Sequence, residues 1–330
     1  MSFQGMLLKA GISSDGANVD IVGALTARNL LPIPGNVWYV DYRNGDDDNT
    51  GKTWNKAFQT YSAAIDAVTS NNNDYILIDG DSTVVETAIV TLSKNRVHTV
   101  GMNGALGHFG QGARVSCTLS SGSANIATFK NTGVRNTFTG IKFMNANTVA
   151  QGLYSVAEGG EFSRYFNCEF YKSSDLNETA AAELLLNGDS AMFYNCTLGS
   201  TANIIADNKI RPNVLLNRET LTGKVCRDCY FENCLFLSKA GGTEHVAVYG
   251  SGATDVERML MIKDSTFLNN ALSAATPAHA VGFGAAQTQG TVFLKNCSAV
   301  DYTLMAQASV GIYVDGAVPT FGTSGVAVAS

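Results

Sequence analysis

The chain has 330 residues with 15% of them charged, against roughly 25% in an ordinary soluble domain, and a net charge of −6 without a lysine or arginine cluster. That balance speaks against a nucleic-acid surface, and there is no apolar run of about 18 residues to cross a membrane as a helix. Glycine (33 residues), with Asn, Ser and Thr, takes up the difference, as turn-rich β structure requires.

Residues 1–36 open with "MSFQGMLLKAGISSDG", which lacks the basic-then-apolar order of a secretory leader, so no Sec signal is expected. The rest, "GALTARNLLPIPG", is a short apolar run stopped by two prolines and is expected to be an extended arm. An odd count of seven cysteines without an export signal makes reduced thiols the expectation. From residue 37 the pattern sharpens. "VWYVD" is a strand and "NGDDDNTG" a polar turn. Residues 57–70 form an amphipathic helix with Phe58, Tyr61, Ala64, Ile65 and Val68 on one stripe, and "YILIDGD" is a buried strand. Asp46, Asp47, Asp48 and Asn49 offer hard oxygen ligands for calcium but lack the spacing and closing Glu of an EF-hand, so a solvated turn is expected.

Beyond residue 130 a six-residue unit recurs: "FTGIKF" (138–143), "YFNCEF" (165–170), "FYNCTL" (193–198), "FENCLF" (231–236), "IKDSTF" (262–267) and "LKNCSA" (294–299). Setting the third residue to zero, position −2 is always apolar and position 0 is Gly140, Asn167, Asn195, Asn233, Asp264 or Asn296. Apolar residues alternate on either side of zero, with the two-residue period of a half-buried strand. Gly, Asn and Asp tolerate left-handed backbone. Strand, one-residue bend, strand, repeated every 27 to 38 residues, describes successive coils of a solenoid. Stacked Asn side chains can then bond along the stack. Position +1 holds Cys168, Cys196, Cys234 and Cys297, but also Ile141 and Ser265. That variety fits a small core-facing side chain better than a metal ligand or disulfide half. Cys226 and Cys229 make a C-x2-C beside Cys234, yet neither a second pair nor a spaced histidine completes a zinc set, so core packing is expected there too.

The stretch 37–81 resembles the opening of pectate-lyase-like right-handed β-helix proteins, in which a strand, an Asp/Asn/Gly loop followed by an aromatic residue, and a short helix cap the first coil. The resemblance covers residues 37–302 and implies an all-β, right-handed parallel β-helix with an N-terminal capping helix. It leaves activity open, because such folds serve lyases, glycosidases, esterases and non-catalytic viral proteins. Residues 303–330 carry one charge, Asp315, and alternate small with β-branched residues, so a C-terminal β tail seeking a sheet edge is expected.

Outward positions should hold Lys142, Arg164, Glu169, Asp228, Glu232, Lys263 and Lys295, with Glu232, Lys263 and Lys295 in one column. A base and an acid in a sugar groove is one meaning of that column, and a surface salt ladder is the favoured one. Phe166 and Tyr194 also point outward, either to stack on sugars or to pack under a loop. His98, His108, His245 and His279 lie in separate contexts, and the Asn-Thr-Asp, Asp-Asp, Gly-His-Gly and Arg-Ile-Lys set of polygalacturonase-like enzymes is absent. No catalytic, cofactor-binding or metal residue is therefore assigned. The profile most resembles β-helix proteins of tailed-phage virions. It implies a non-enzymatic capsid decoration, head fibre or spike, assembled in the host cytoplasm as a homotrimer with other virion proteins as partners. A polysaccharide depolymerase or lyase, or a glycan-binding adhesin, is the alternative.

Overall fold

The computed structural model describes residues 35–80, 86–102, 108–110, 112–117, 127–146, 153–172, 181–201, 204–205, 209–217, 224–270, 276–308 and 311–315. Among these the strands form three sheets: sheet A with ten strands, sheet B with seven and sheet C with eight. Each coil runs through A, then B, then C, and pairs in parallel with the next coil. The six sequence copies fall in register. Phe138, Tyr165, Phe193, Phe231, Ile262 and Leu294 are successive neighbours in sheet A.

The bend between A and B is left-handed in every copy: φ is 66° at Gly140, 52° at Asn167, 54° at Asn195, 52° at Asn233, 48° at Asp264 and 51° at Asn296. The expected ladder is present. Asn195 Nδ2 donates to Asn167 Oδ1, Asn233 Nδ2 to Asn195 Oδ1 at 3.1 Å, and Asn296 Nδ2 to Asp264 Oδ1 at 2.6 Å. A second left-handed column, which the six-residue unit does not reveal, turns the chain from C into A at Arg96, Arg135, Phe162, Ser190 and Asp228 (φ 50–59°).

Inside the stack the repeated aromatic residues pile up. Ring centroids lie 4.6 Å apart for Phe138–Tyr165, 4.8 Å for Tyr165–Phe193 and 4.5 Å for Phe193–Phe231. Each of these side chains is fully buried, which stabilises by about 1.5–3 kcal/mol apiece, with roughly 0.5–1.5 kcal/mol more per stacked pair. The position +1 thiols point into this core. Cys168, Cys196 and Cys234 are buried, and each Sγ donates to a carbonyl of the preceding coil, at Phe138, Tyr165 and Phe193. All seven cysteines are free. The middle strands of sheet C, Tyr154–Glu158, Ala182–Leu186 and Val214–Leu216, are buried on both faces. Ala182–Leu186 has no accessible position, and Ala127, Tyr154, Leu185 and Leu215 build a second apolar cluster on its outer side.

At the N-terminal end the capping helix is Tyr61–Ala67, shorter than the expected 57–70. Phe58 instead bridges to Val40 in sheet A geometry, and Val68 is extended (φ −68°, ψ 150°), which stops the helix after two turns. Thr60 caps it, accepting from the Ala63 N–H. The buried Glu86 adds a second cap, accepting from the Tyr61 N–H and the Ser62 hydroxyl at 2.8 Å each. Asp47 of the acidic turn accepts from the Gln59 and Thr60 N–H groups at 2.8 Å, so it anchors the helix entry. At the other end the stack continues past residue 302, because Leu304–Ala306 adds to sheet C and Ile312–Asp315 to sheet A. Part of the expected tail thus completes the protein's own sheets. Residues 1–34 of the arm and 316–330 of the tail lie outside the described residues.

Candidate functional site: the outer face of sheet A

Sheet A exposes two columns of side chains on six successive strands. One reads Arg164, Met192, Tyr230, Met261, Phe293, Tyr313, and the other reads Phe166, Tyr194, Glu232, Lys263, Lys295, Asp315. Alternation along each strand puts these residues outward and Tyr165, Phe193, Phe231, Ile262 and Leu294 in the core, whereas Val314 of the last strand is itself exposed. Tyr194, Phe293 and Tyr313 are 42%, 38% and 59% exposed. Phe293 and Tyr313 stack at 5.7 Å beside a shallow cavity of about 340 Å³ bounded by Met261, Lys295 and Asp315.

The charged members of the second column close on each other. Lys263 Nζ lies 2.7 Å from Glu232 Oε1 and 3.2 Å from Asp264 Oδ2, and the Tyr230 hydroxyl donates to Glu232 Oε2 at 3.1 Å. The hydrogen bond to Glu232 raises the Lys263 pKa above its ordinary range, so the side chain is held as an ammonium ion. Hydrogen bonds from Asn296 and Lys263 hold the Asp264 carboxyl below its usual value.

No family model and no curated protein matches the sequence. Among solved structures, the pectin methylesterase of Aspergillus niger superposes with a TM-score of 0.54 at 13% identity, covering 87% of this chain and 82% of that one. The pectate lyase Pel9A superposes at 0.50 and 14% identity, covering 90% and 82%. The chain is a right-handed parallel β-helix. At such identities the likeness carries the fold alone.

Within this β-helix the outward residues expected from sequence do not gather into one site. Glu232, Lys263 and Lys295 share a column of sheet A as expected. Lys142 and Glu169 pair at 3.1 Å on sheet B, and Asp228 pairs with Arg258 at the corner between C and A. Phe166 and Tyr194 are neighbours at 6.3 Å on the outer face of A.

Two polar features escaped the sequence reading. At the corner between C and A, Glu161, Asp189 and Arg227 are bridged coil to coil. Arg227 pairs with Asp189 at 3.5 Å and with Glu257, beside a cleft of about 170 Å³. Inside the stack, Glu158 is buried and accepts from Asn131 Nδ2 (2.8 Å), the Gly160 N–H (2.7 Å), the Ser163 hydroxyl (3.3 Å) and the Tyr165 hydroxyl. Burial pushes its carboxyl above the usual range despite those bonds. The hint was present in Tyr165, the one hydroxyl-bearing ring at position −2 of the repeat.

The four histidines sit apart. His98 stacks on Tyr75 at 4.8 Å, and the His108 carbonyl accepts from the Thr197 hydroxyl. His245 is buried between the Ile210 carbonyl (3.0 Å) and the Tyr302 hydroxyl (3.2 Å). Burial lowers the pKa of all four.

Proposed function

We propose that this chain is a rigid, non-catalytic structural β-helix of a tailed-phage particle, with the outer face of sheet A as its contact surface. One observation carries this: on that face the acid and base are satisfied by each other, while the rings of Tyr194, Phe293 and Tyr313 stand exposed. A face of that kind gains by being covered and has no acid–base pair poised for proton transfer. Mass spectrometry of purified particles from the source organism tests the assignment, and absence of the chain from them would refute it.

A second reading is action on a polysaccharide. Two of the similar structures are a pectin methylesterase and a pectate lyase, and Glu232 and Lys263 lie beside Tyr194 and Tyr230. Purified chain incubated with pectic and capsular glycans decides between them. Release of methanol, reducing ends or unsaturated uronate, lost in Glu232→Gln, would establish an enzyme; binding without turnover would make the chain an adhesin.

A further inference from the structure

The outer face of sheet A is self-complementary when one copy is turned end over end. We infer that it pairs with the same face of a second copy, antiparallel, about a two-fold axis that runs along the strands between Glu232 and Lys263. This rests on the reading of that face as a contact surface, and it names the partner.

Such an axis inverts the order of coils while keeping each column opposite itself. The strand of Glu232 then faces the second copy's strand of Lys263, so each lysine sits between two carboxylates, its own and its neighbour's. One coil further out, Tyr194 faces Lys295 and Met192 faces Phe293, giving a cation over a ring and an apolar pair. At the ends, Arg164 lies opposite Tyr313 and next to Asp315. Arg164 and Asp315 are both exposed, and neither forms an ion pair among the described residues. Phe166 falls opposite Asp315, whose carboxylate then turns to the neighbouring Arg164; the other charges and rings meet an opposite charge, a cation or an apolar partner.

Other arrangements do worse. Copies set side by side about an axis along the stack keep each coil at its own height. With that axis over the second column, Lys263 and Lys295 would meet the same lysines of the neighbour, which disfavours a homotrimer centred on that column. A shift of the antiparallel register by one coil places Lys263 opposite itself. Six strands at about 4.8 Å spacing make a contact about 29 Å long. The two columns supply fewer side chains than the 20–30 of a standard interface, so a dissociation constant on the order of micromolar is expected.

Sedimentation equilibrium of the full-length chain, from about 1 to about 200 µM, reads the pairing. The wild type should pass from monomer to dimer. Arg164→Glu or Asp315→Arg alone should weaken the dimer at least tenfold, and the double reversal should restore it, with thermal melts unchanged in all three. In a separate variant, Tyr194→Cys with Lys295→Cys should yield an oxidised, cross-linked dimer on a non-reducing gel. A chain that stays monomeric, a trimeric mass, or a dimer indifferent to the reversals would overturn the inference. A monomer that is nonetheless found in purified particles overturns the two-fold pair and leaves the particle assignment standing; a charge-swappable dimer missing from particles does the reverse.

Discussion

Acid should loosen this stack through His245. The imidazole is fully buried, and both ring nitrogens are occupied. The Ile210 carbonyl can only accept, so Nδ1 carries the proton and Nε2 accepts from the Tyr302 hydroxyl. Burial, with the nearby Arg211 cation adding to it, lowers the His245 pKa to about 4. An unfolded histidine titrates near 6.5. The group is therefore neutral in both states at pH 7.5, where it costs nothing. As pH falls below 6.5 the unfolded chain takes up a proton that the folded chain refuses. By pH 4.5 this linkage amounts to about 2.5 kcal/mol, a large share of a marginal 5–15 kcal/mol stability. His245→Gln keeps one donor for Ile210 and one acceptor for Tyr302 and does not titrate. Urea unfolding of both proteins at pH 7.5 and 4.5 should show the wild type losing about 2.5 kcal/mol more than the variant, since every other titrating group cancels. The His245 imidazole, followed by NMR, should titrate near pH 4. Equal acid sensitivity in the two proteins would refute the linkage.

Three further outcomes are expected from chemical denaturation. Glu158→Gln puts an amide among four donors and should cost about 2–4 kcal/mol. Because burial raises the Glu158 pKa, its proton-linked contribution is present below about 4.5 and lost as pH rises through the raised value, so the gap to the variant should be wider at pH 5 than at pH 8. Asn195→Val forces a β-branched residue to φ 54° and removes two ladder bonds, for about 2–4 kcal/mol, whereas Asn195→Gly should lose only the ladder, about 1–2 kcal/mol. Phe193→Ala opens the ring pile between Tyr165 and Phe231 and should cost about 3–5 kcal/mol.

What the sequence made legible follows from what a coil repeats. The corner between A and B demands a left-handed residue with a side chain that can bond to the next coil, so Asn195 and its equivalents announce it. The corner between C and A imposes the same backbone on Arg135, Phe162, Ser190 and Asp228. With Arg96 in the same column, five side chains of four different kinds give no pattern to see. Sheet C was hidden for a different reason: strands such as Ala182–Leu186 are covered on both faces, so the two-residue alternation that betrays a half-buried strand is absent. The helix was overextended because Phe58 and Val68 fit its apolar stripe, although tertiary pairing draws Phe58 into a bridge with Val40. As for the candidate site, the column Glu232, Lys263, Lys295 was readable, but its closure by Tyr230 and Asp264 depends on side chains reaching between strands and around a bend.

The two sides of one strand answer to different constraints. An inward residue of sheet A must match the residue one coil above and one coil below, which keeps Phe138, Tyr165, Phe193 and Phe231 aromatic. An outward residue touches solvent, and over successive coils the column from Thr139 drifts through Phe166, Tyr194, Glu232 and Lys263 without disturbing the stack. Structures sharing 13–14% identity can therefore share this fold. The same separation makes the outer column a clean place to experiment. Replacing exposed Tyr194 or Lys295 should change stability by no more than about 0.5 kcal/mol. Any loss of pairing, particle incorporation or glycan binding in those variants then reports on the surface and not on the fold.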